Sequence, residues 1–397
     1  MVCANGSSFE DYKQKLQNAI YQYLLKHPDI REPVKQEKEP LDFVQKAQTN
    51  WERRIFKSLN NMCNDLGIAL SRKRPVSEQK ELEAKWTELG TEDMDLSRFR
   101  PVYSPRDFLE VLMSVRNPNL SQVSIGVDHC LQPSKLSCMF PVLESYQAPL
   151  AREYSKQGCP QNLRAEMWAL ILGVETTDAS RLQFEHLKAS VFLHDLIVDK
   201  LIFKDINLTA SNDDQYFVFE DLLYQILLVF SRDTAVLDHF EYSSANPPKA
   251  HLRGGRNNED TLVIYPPNGV IPFHGFSMFV CPLCYIYEDP VTLYMVFREL
   301  YTLYFYLLHT VSSHPQGILS LCLLFETLLH ELDPHLTYHM ASKEIQPLKV
   351  VIKWLMRAFS GYLSADQILL LWDRILAYNS LEILAGVGAR MDKIISF

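Results

Sequence analysis

Apolar residues recur every three or four positions along most of the chain, which predicts helices rather than strands. In residues 41–70 one helical face collects Phe43, Ala47, Trp51, Ile55, Leu59, Met62 and Leu66. Similar patterns predict helices in residues 9–26, 76–89, 104–115, 152–174, 181–201, 214–230, 289–312, 315–332, 346–359 and 364–384. The one good strand pattern is TLVIY at 261–265. The predicted fold class is therefore all-α.

The pattern changes character near residue 150. Before this point, helical segments alternate with charged, proline-containing stretches such as PDIREPVKQEKEP at 28–40, and residues 117–149 are rich in Pro, Ser and Asn. After it, the helices are longer and more apolar. We therefore expect a helical N-terminal extension over residues 1–150 and a larger helical domain over residues 151–397.

Composition excludes several classes of protein. The 397 residues are 47% hydrophobic and 22% charged, which is typical of a soluble globular protein. A formal net charge of −9 argues against a nucleic-acid-binding protein, because such a protein presents a basic face. No apolar run reaches the roughly 18 residues of a transmembrane segment, and the N-terminus MVCANGSSFEDYKQ lacks a signal-peptide pattern. We expect a cytoplasmic protein with reduced cysteines.

Two groups of potential metal ligands have simpler explanations. CPLC at 281–284, with His274 upstream, lacks the second ligand pair of a zinc site and the βαβ unit of a redox site. HLTYH at 335–339 lacks the glutamate of a zinc-protease helix. We interpret the first as a buried helix with two small cysteines and the second as a surface turn. No metal site is expected, and a thiol or metal enzyme stays a distant alternative.

Two segments of the larger domain contain landmarks in a characteristic order. GCPQNLRAEMWALILGV at 158–174 has Gly-x-Pro before the pair Arg164 and Trp168. The segment at 330–376 includes a Leu-Leu-Trp-Asp run that ends at Trp372 and Asp373. In this order of landmarks the chain resembles the TBC domain, the module that activates Rab GTPases. The resemblance extends from about residue 155 to about residue 384. The resemblance implies an all-α TBC fold and, as partner, a Rab-family small GTPase in its GTP form.

The resemblance also implies where two catalytic side chains would lie. In TBC domains an arginine neutralises charge on the transferring phosphoryl group, and a glutamine positions the attacking water. The motif Ile-x-x-Asp-x-x-Arg matches Ile202 and Asp205, but Leu208 stands at the arginine position. The motif Tyr-x-Gln-Gly-Met matches IPFHGF, where His274 stands at the glutamine position and Gly275 is retained. Both catalytic positions are therefore substituted.

The substitutions leave two functions open. Leucine has neither charge nor hydrogen-bond donor, whereas a neutral imidazole can accept a bond from water. One interpretation is a GTPase activator, itself neither an enzyme nor a cofactor-binding protein, because Mg²⁺ and nucleotide belong to the GTPase. The alternative is a catalytically silent TBC scaffold that binds a Rab or another partner. A further hypothesis lets Arg253 or Arg256, in the loop at 243–260, replace the missing arginine.

Roles for the remaining landmarks follow from the same resemblance. Asp205 would brace the catalytic loop. The residues that would support the GTPase-binding surface are Arg164, Trp168, Ile202, Gly275, Trp372 and Asp373. Tryptophans on helices are also common core residues, so a purely structural role stays open for Trp168 and Trp372. The partner would bring this cytoplasmic protein to vesicle membranes.

The C-terminal sequence departs from the family pattern. TBC domains continue with more helix after the Trp372–Asp373 segment, whereas this chain ends in LAGVGARMDKIISF. We expect Gly386 and Gly388 to interrupt the helical pattern, because glycine is a poor helix former. The prediction is a domain with a shortened C-terminal end.

Overall fold

A computed structural model describes residues 42–91, 147–242, 249–252, 261–312 and 314–390. These residues are mainly helical, which confirms the all-α prediction. The α-helices are α1 (Asp42–Leu66), α2 (Val76–Ala84), α3 (Ala148–Ser155), α4 (Arg164–Leu172), α5 (Asp178–Leu193), α6 (Ile197–Leu208), α7 (Glu220–Phe230), α8 (Pro290–Leu303), α9 (Ile318–Leu332), α10 (Pro334–Ser342), α11 (Leu348–Met356), α12 (Ala365–Tyr378) and α13 (Glu382–Gly388). Short 3₁₀ helices span Trp86–Thr91, Gln161–Leu163, Phe217–Phe219, Thr234–Tyr242, Phe276–Phe279, Cys281–Tyr285 and Phe305–Leu308.

Two short antiparallel strand pairs accompany the helices. β1 (Ser71–Lys73) pairs with β2 (His194–Leu196), and β3 (Lys249–Leu252) pairs with β4 (Thr261–Ile264). The strand predicted from TLVIY is confirmed as β4. The β1–β2 pair was not predicted, because three residues are too few to show an alternating pattern.

Four helical predictions need correction. The single helix predicted over 152–174 is wrong, because α3 ends at Ser155 and α4 begins only at Arg164. The single helix predicted over 181–201 is wrong, because the chain becomes extended at His194 and forms β2 before α6 begins. The helix predicted over 364–384 ends at Tyr378, where Asn379 adopts a left-handed conformation with φ of 52°. Gly386 and Gly388 do not interrupt the helical pattern, since both lie within α13.

Asp-Pro pairs begin two of the helices. Asp289 accepts a hydrogen bond from the Thr292 N–H at 3.2 Å at the start of α8. Asp333 accepts one from the Leu336 N–H at 3.0 Å at the start of α10. In each helix a proline occupies the first position, where its missing N–H costs nothing. The surface turn predicted for 335–339 is therefore wrong, and these residues belong to α10.

The hydrophobic core crosses the predicted boundary at residue 150. Trp86 packs edge-on against Phe192 of α5, with ring centroids 5.0 Å apart. The Tyr265 hydroxyl donates to the Leu70 carbonyl at 2.7 Å and accepts the Ile197 N–H at 3.1 Å. Residues 42–91 thus pack directly on the helices that follow residue 147. The division of the chain into two domains stays a prediction.

A cluster of buried charges fixes the start of α6. The Asp199 carboxylate binds the Arg232 guanidinium, with one contact at 2.7 Å, and accepts the Leu196 N–H at 3.1 Å. From β1 and the residue after it, Arg72 and Arg74 reach Asp195 at 2.8 and 3.3 Å. Because buried carboxylates need such partners, this cluster anchors the helix that carries Asp205 and Leu208.

Several predictions concern residues outside those described. They are the helices predicted at 9–26 and 104–115, the hypothesis on Arg253 and Arg256, and residues 117–146 of the irregular segment predicted over 117–149. At the end of that segment α3 already begins, at Ala148. Residues 391–397 lie outside as well, so the shortened C-terminal end stays a prediction.

Candidate functional site

The C-terminal half of α6 meets the loop before the 3₁₀ helix Phe276–Phe279 and forms a small pocket. Its lining residues are Leu201, Lys204, Asp205, Leu208, Pro272, Phe273 and His274. The two positions that the family resemblance assigned to the catalytic arginine and glutamine therefore line one pocket, although they are far apart in the chain. We call the loop 272–275 the histidine loop.

Asp205 ties the histidine loop to α6. Its carboxylate accepts the Gly275 N–H and, at 2.8 Å, the Ser277 N–H. The Thr209 and Ser277 hydroxyls share a further hydrogen bond of 2.8 Å. Asp205 itself is only 5% exposed, so these amides compensate a nearly buried charge. These bonds join α6 to the histidine loop, and the bracing of a catalytic loop by Asp205 stays a prediction.

His274 lies at the rim of the pocket, with its side chain 30% exposed. Its Nδ1 atom is 3.6 Å from Asp205 Oδ1, which is too long for a hydrogen bond. A neutral imidazole has one acceptor nitrogen, so the ring can accept a hydrogen bond from a water molecule.

Gly275 has a conformation that excludes other residues. Its φ of 95° lies in the region that favours glycine. The guanidinium of Arg357 occupies the space where a Cβ would be, and Arg357 Nη2 donates to the His274 carbonyl at 3.2 Å. Sequence reasoning missed Arg357, which follows α11 directly. The available signal was a charged residue between the apolar pairs Leu355–Met356 and Ala358–Phe359.

Leu208 is 46% exposed at the end of α6. Its side chain presents an apolar surface at the position where the family motif has a charged one. Four residues earlier, Lys204 is 6% exposed and lines the same pocket, which sequence reasoning also missed. Burial lowers the pKa of Lys204 below its ordinary value, because desolvation disfavours the ammonium form.

Asp373 is the centre of a second, fully buried network. Arg164 Nε and Nη2 both approach the carboxylate at 3.1 Å, and the Trp168 indole donates to it at 2.7 Å. The Cys159 N–H donates at 2.7 Å. Asp373 is 0% exposed, so this network joins α4 to α12 inside the core. It does not line the pocket.

The other landmarks are also buried. Trp372 donates from its indole to the Ala358 carbonyl at 3.1 Å, and Ile202 is 1% exposed on the core side of α6. Trp168 and Trp372 pack together with centroids 6.4 Å apart. The burial of these side chains is consistent with a structural role in the core. Support of a GTPase-binding surface by them stays a prediction.

The cysteine pair occupies a buried 3₁₀ helix. Burial raises the thiol pKa of both Cys281 and Cys284, which disfavours the nucleophilic thiolate. Within the described ranges, no three His, Cys, Asp or Glu side chains are grouped closely enough to hold a metal ion. The helices of these ranges also include none that is both long and apolar enough to cross a membrane.

Comparison with known proteins agrees with this architecture. A sequence model described as the Rab-GTPase-TBC domain matches residues 273–390. The human protein TBC1 domain family member 19 is 51% identical over an alignment of 424 positions, which covers 95% of this chain and 81% of that protein. The alignment with the human protein includes most of this chain. The match to the family model begins at Phe273, beside His274. The chain therefore belongs to the Rab-GTPase-TBC domain family.

Proposed function

We propose that this protein activates a Rab-type small GTPase and that the pocket between α6 and the histidine loop meets the nucleotide of the GTP form. The observation that carries the proposal is the shared pocket of Leu208 and His274. A side chain that positions water and a group that meets the phosphate must act on the same centre, so they must lie together. The protein itself needs no cofactor, because the GTPase holds Mg²⁺ and the nucleotide.

In this proposal His274 positions the attacking water. Asp205 and Arg357 hold the loop on both sides of it, through the Gly275 N–H and the His274 carbonyl. A fixed acceptor of this kind costs little reorganisation during the reaction. An arginine that neutralises phosphoryl charge raises the hydrolysis rate by a factor of about 10³–10⁵. Because Leu208 carries no charge, we expect weaker activation than by a TBC domain that has this arginine.

The exposed leucine favours a second candidate, a TBC scaffold that binds a GTP-loaded Rab without accelerating hydrolysis. Leu208 at 46% exposure offers apolar contact area at the place where the motif has its charge. Such a surface contributes to binding, at about 25 cal/mol per Å² buried, but not to phosphoryl transfer. In both candidates the GTPase would bring this protein to vesicle membranes.

Single-turnover phosphate release separates the two candidates. A panel of Rab-type GTPases is loaded with GTP and mixed with an excess of this protein, while affinity is measured with GDP and with a non-hydrolysable GTP analogue. Faster release on at least one GTPase supports the activator. Preferential binding of the GTP-like form with an unchanged hydrolysis rate supports the scaffold. Absence of binding to every member contradicts both.

A further inference from the structure

His274 differs from the glutamine of the family motif in one chemical property, because its ring can take up a proton. Histidine as a residue type changes its charge between about pH 5 and 8, whereas the amide of glutamine keeps the same hydrogen-bonding groups throughout that range. A neutral imidazole has one acceptor nitrogen. An imidazolium has two N–H donors and no acceptor, so it cannot accept a hydrogen bond from a water molecule.

The two nitrogens of the His274 ring have different surroundings. The side chain is 30% exposed, yet Nδ1 is buried and makes no hydrogen bond among the described residues. The exposed part of the side chain therefore lies among its other atoms, which include the second ring nitrogen, Nε2. Of the two nitrogens, Nε2 is thus the one that a water molecule from outside can approach.

Three ionisable side chains lie around the histidine loop, and they come from two other parts of the chain. On α6, Asp205 Oδ1 lies 3.6 Å from His274 Nδ1, and Lys204 lines the same pocket. After α11, Arg357 donates to the His274 carbonyl at 3.2 Å. An imidazolium at this distance from a carboxylate is attracted to it, so a charged His274 ring would be drawn to Asp205.

A second histidine lies behind the loop but does not titrate near neutral pH. His309 packs against Phe273 with ring centroids 5.2 Å apart, and burial lowers the pKa of His309 to about 3. His309 is therefore neutral at pH values near 7. Among the described residues that line the pocket, His274 is the one histidine.

We propose that protonation of His274 controls the activation of the GTPase. This inference rests on the proposed function, since it needs a GTPase seated on the pocket. The neutral ring accepts a hydrogen bond from the attacking water at Nε2. In a more acidic medium a proton from the solvent occupies Nε2, and the charged ring pairs with Asp205 instead of positioning the water. Hydrolysis then slows as pH falls, while the GTPase stays bound.

The test compares the full chain with two variants at about pH 6 and about pH 8, on the two sides of the usual charge change of histidine. His274→Gln replaces the titrating ring by the amide of the family motif. His186→Gln is the matched control, since it removes an exposed histidine of α5. Thermal unfolding checks that the three proteins are folded at both pH values.

Single-turnover phosphate release is followed on one GTP-loaded GTPase with each protein in saturating excess. The measured quantity is the rate increase over the GTPase alone at the same pH. We expect this increase to be about 3-fold or more smaller at the lower pH for the native protein and for His186→Gln. His274→Gln should give the same increase at both pH values.

Two further measurements separate control by His274 from a structural effect. Affinity for the GTPase with a non-hydrolysable GTP analogue should change less with pH than the rate does, because a structural effect of pH would weaken binding. In NMR spectra of the native protein, the ring signal that is missing from His274→Gln should titrate over the pH range in which the rate changes.

The outcomes distinguish the two proposals. If the native protein accelerates hydrolysis equally at both pH values, or His274→Gln has the same pH dependence as the native protein, control by His274 is refuted and the activator stands. A His274 ring signal that does not titrate in this range refutes the control as well. If the native protein binds the GTP analogue without accelerating hydrolysis at either pH, or no GTPase binds, both proposals are refuted.

Discussion

The carboxylate of Asp205 accepts the backbone N–H of Gly275 and thereby joins the end of one helix to a loop that is distant in sequence. The same carboxylate accepts the Ser277 N–H at 2.8 Å. Since Leu208 follows Asp205 on α6 and His274 precedes Gly275, one side chain sets the relative position of Leu208 and His274. The geometry of the pocket depends on this contact.

Asp205→Asn should loosen the histidine loop. An asparagine offers one uncharged oxygen, so one of the two amides keeps only a neutral acceptor and the other faces the side-chain NH₂, which is a donor against a donor. Hydrogen bonds to charged groups contribute about 1.5–3 kcal/mol each, and we expect a loss of that size in the free energy of unfolding. Urea titration measures it. Asp178→Asn, at an exposed position in the first turn of α5, is the control and should change stability little. Equal stability of the two variants would contradict the bracing role.

Gly275→Ala should strain the loop in two ways. The positive φ of 95° disfavours alanine, and the new Cβ overlaps the Arg357 guanidinium. We expect a loss of about 1–3 kcal/mol. Arg357→Ala removes the overlap but not the φ penalty, so the double variant should lose less stability than the sum of the single variants. A double-mutant cycle measures this coupling. Additive losses would show that Arg357 does not press on Gly275.

Asp373→Asn should destabilise the core far more than the loss of a surface ion pair. It leaves the buried Arg164 guanidinium without its counter-charge, and breaking a buried pair costs about 3–5 kcal/mol. The exposed pair Lys156–Glu153 supplies the control Glu153→Gln, for which we expect little change. Chemical denaturation of the three proteins at one pH compares them. A small effect of Asp373→Asn would place the network outside the cooperative core.

His309 should make the protein less stable at acidic pH. Burial behind the histidine loop lowers the pKa of His309 from its ordinary 6.5 to about 3, and Tyr301 bonds its Nε2 at 2.9 Å. Between these values the unfolded chain binds a proton that the folded protein does not, so stability falls as pH drops below 6.5. At pH 5 the loss is about 2 kcal/mol, at about 1.4 kcal/mol per pKa unit.

The matched variant for this prediction is His309→Gln, which has no proton to bind. Urea unfolding of both proteins at pH 7 and pH 5 gives two pH-dependent losses. The native protein should lose about 2 kcal/mol more than the variant. Equal losses would mean that His309 is not held neutral in the folded state.

The sequence predicted the helices better than it predicted their ends. Periodicity shows which residues face a core, so the all-α fold and most helices could be inferred. The break at His194 depends on β2 pairing with β1, which is more than a hundred residues away. The end of α12 depends on Asn379, whose side chain accepts the Tyr304 hydroxyl at 2.7 Å. Such contacts leave no local signal in the chain.

The residues of the pocket were also predicted only in part from the sequence. Motif spacing led to Asp205, Leu208, His274 and Gly275, because a resemblance preserves order along the chain. Lys204 and Arg357 were not singled out, because a charged residue in an apolar stretch is usually a solvated one. Lys204 comes to line the pocket, and Arg357 comes to bond the histidine loop, only after the chain has folded.

In our proposal the pocket of Leu208 and His274 is where this protein meets a GTPase nucleotide. Leu208→Arg restores the motif residue at an exposed position, so it should leave the fold intact. Phosphate release from one GTP-loaded Rab-type GTPase that binds both proteins is the direct test. We expect the GTPase to hydrolyse GTP at least 10-fold faster with the variant than with the native protein. The upper bound is the rate increase of roughly 10³–10⁵ that an arginine finger provides. An unchanged rate at equal binding would contradict the assignment of the pocket.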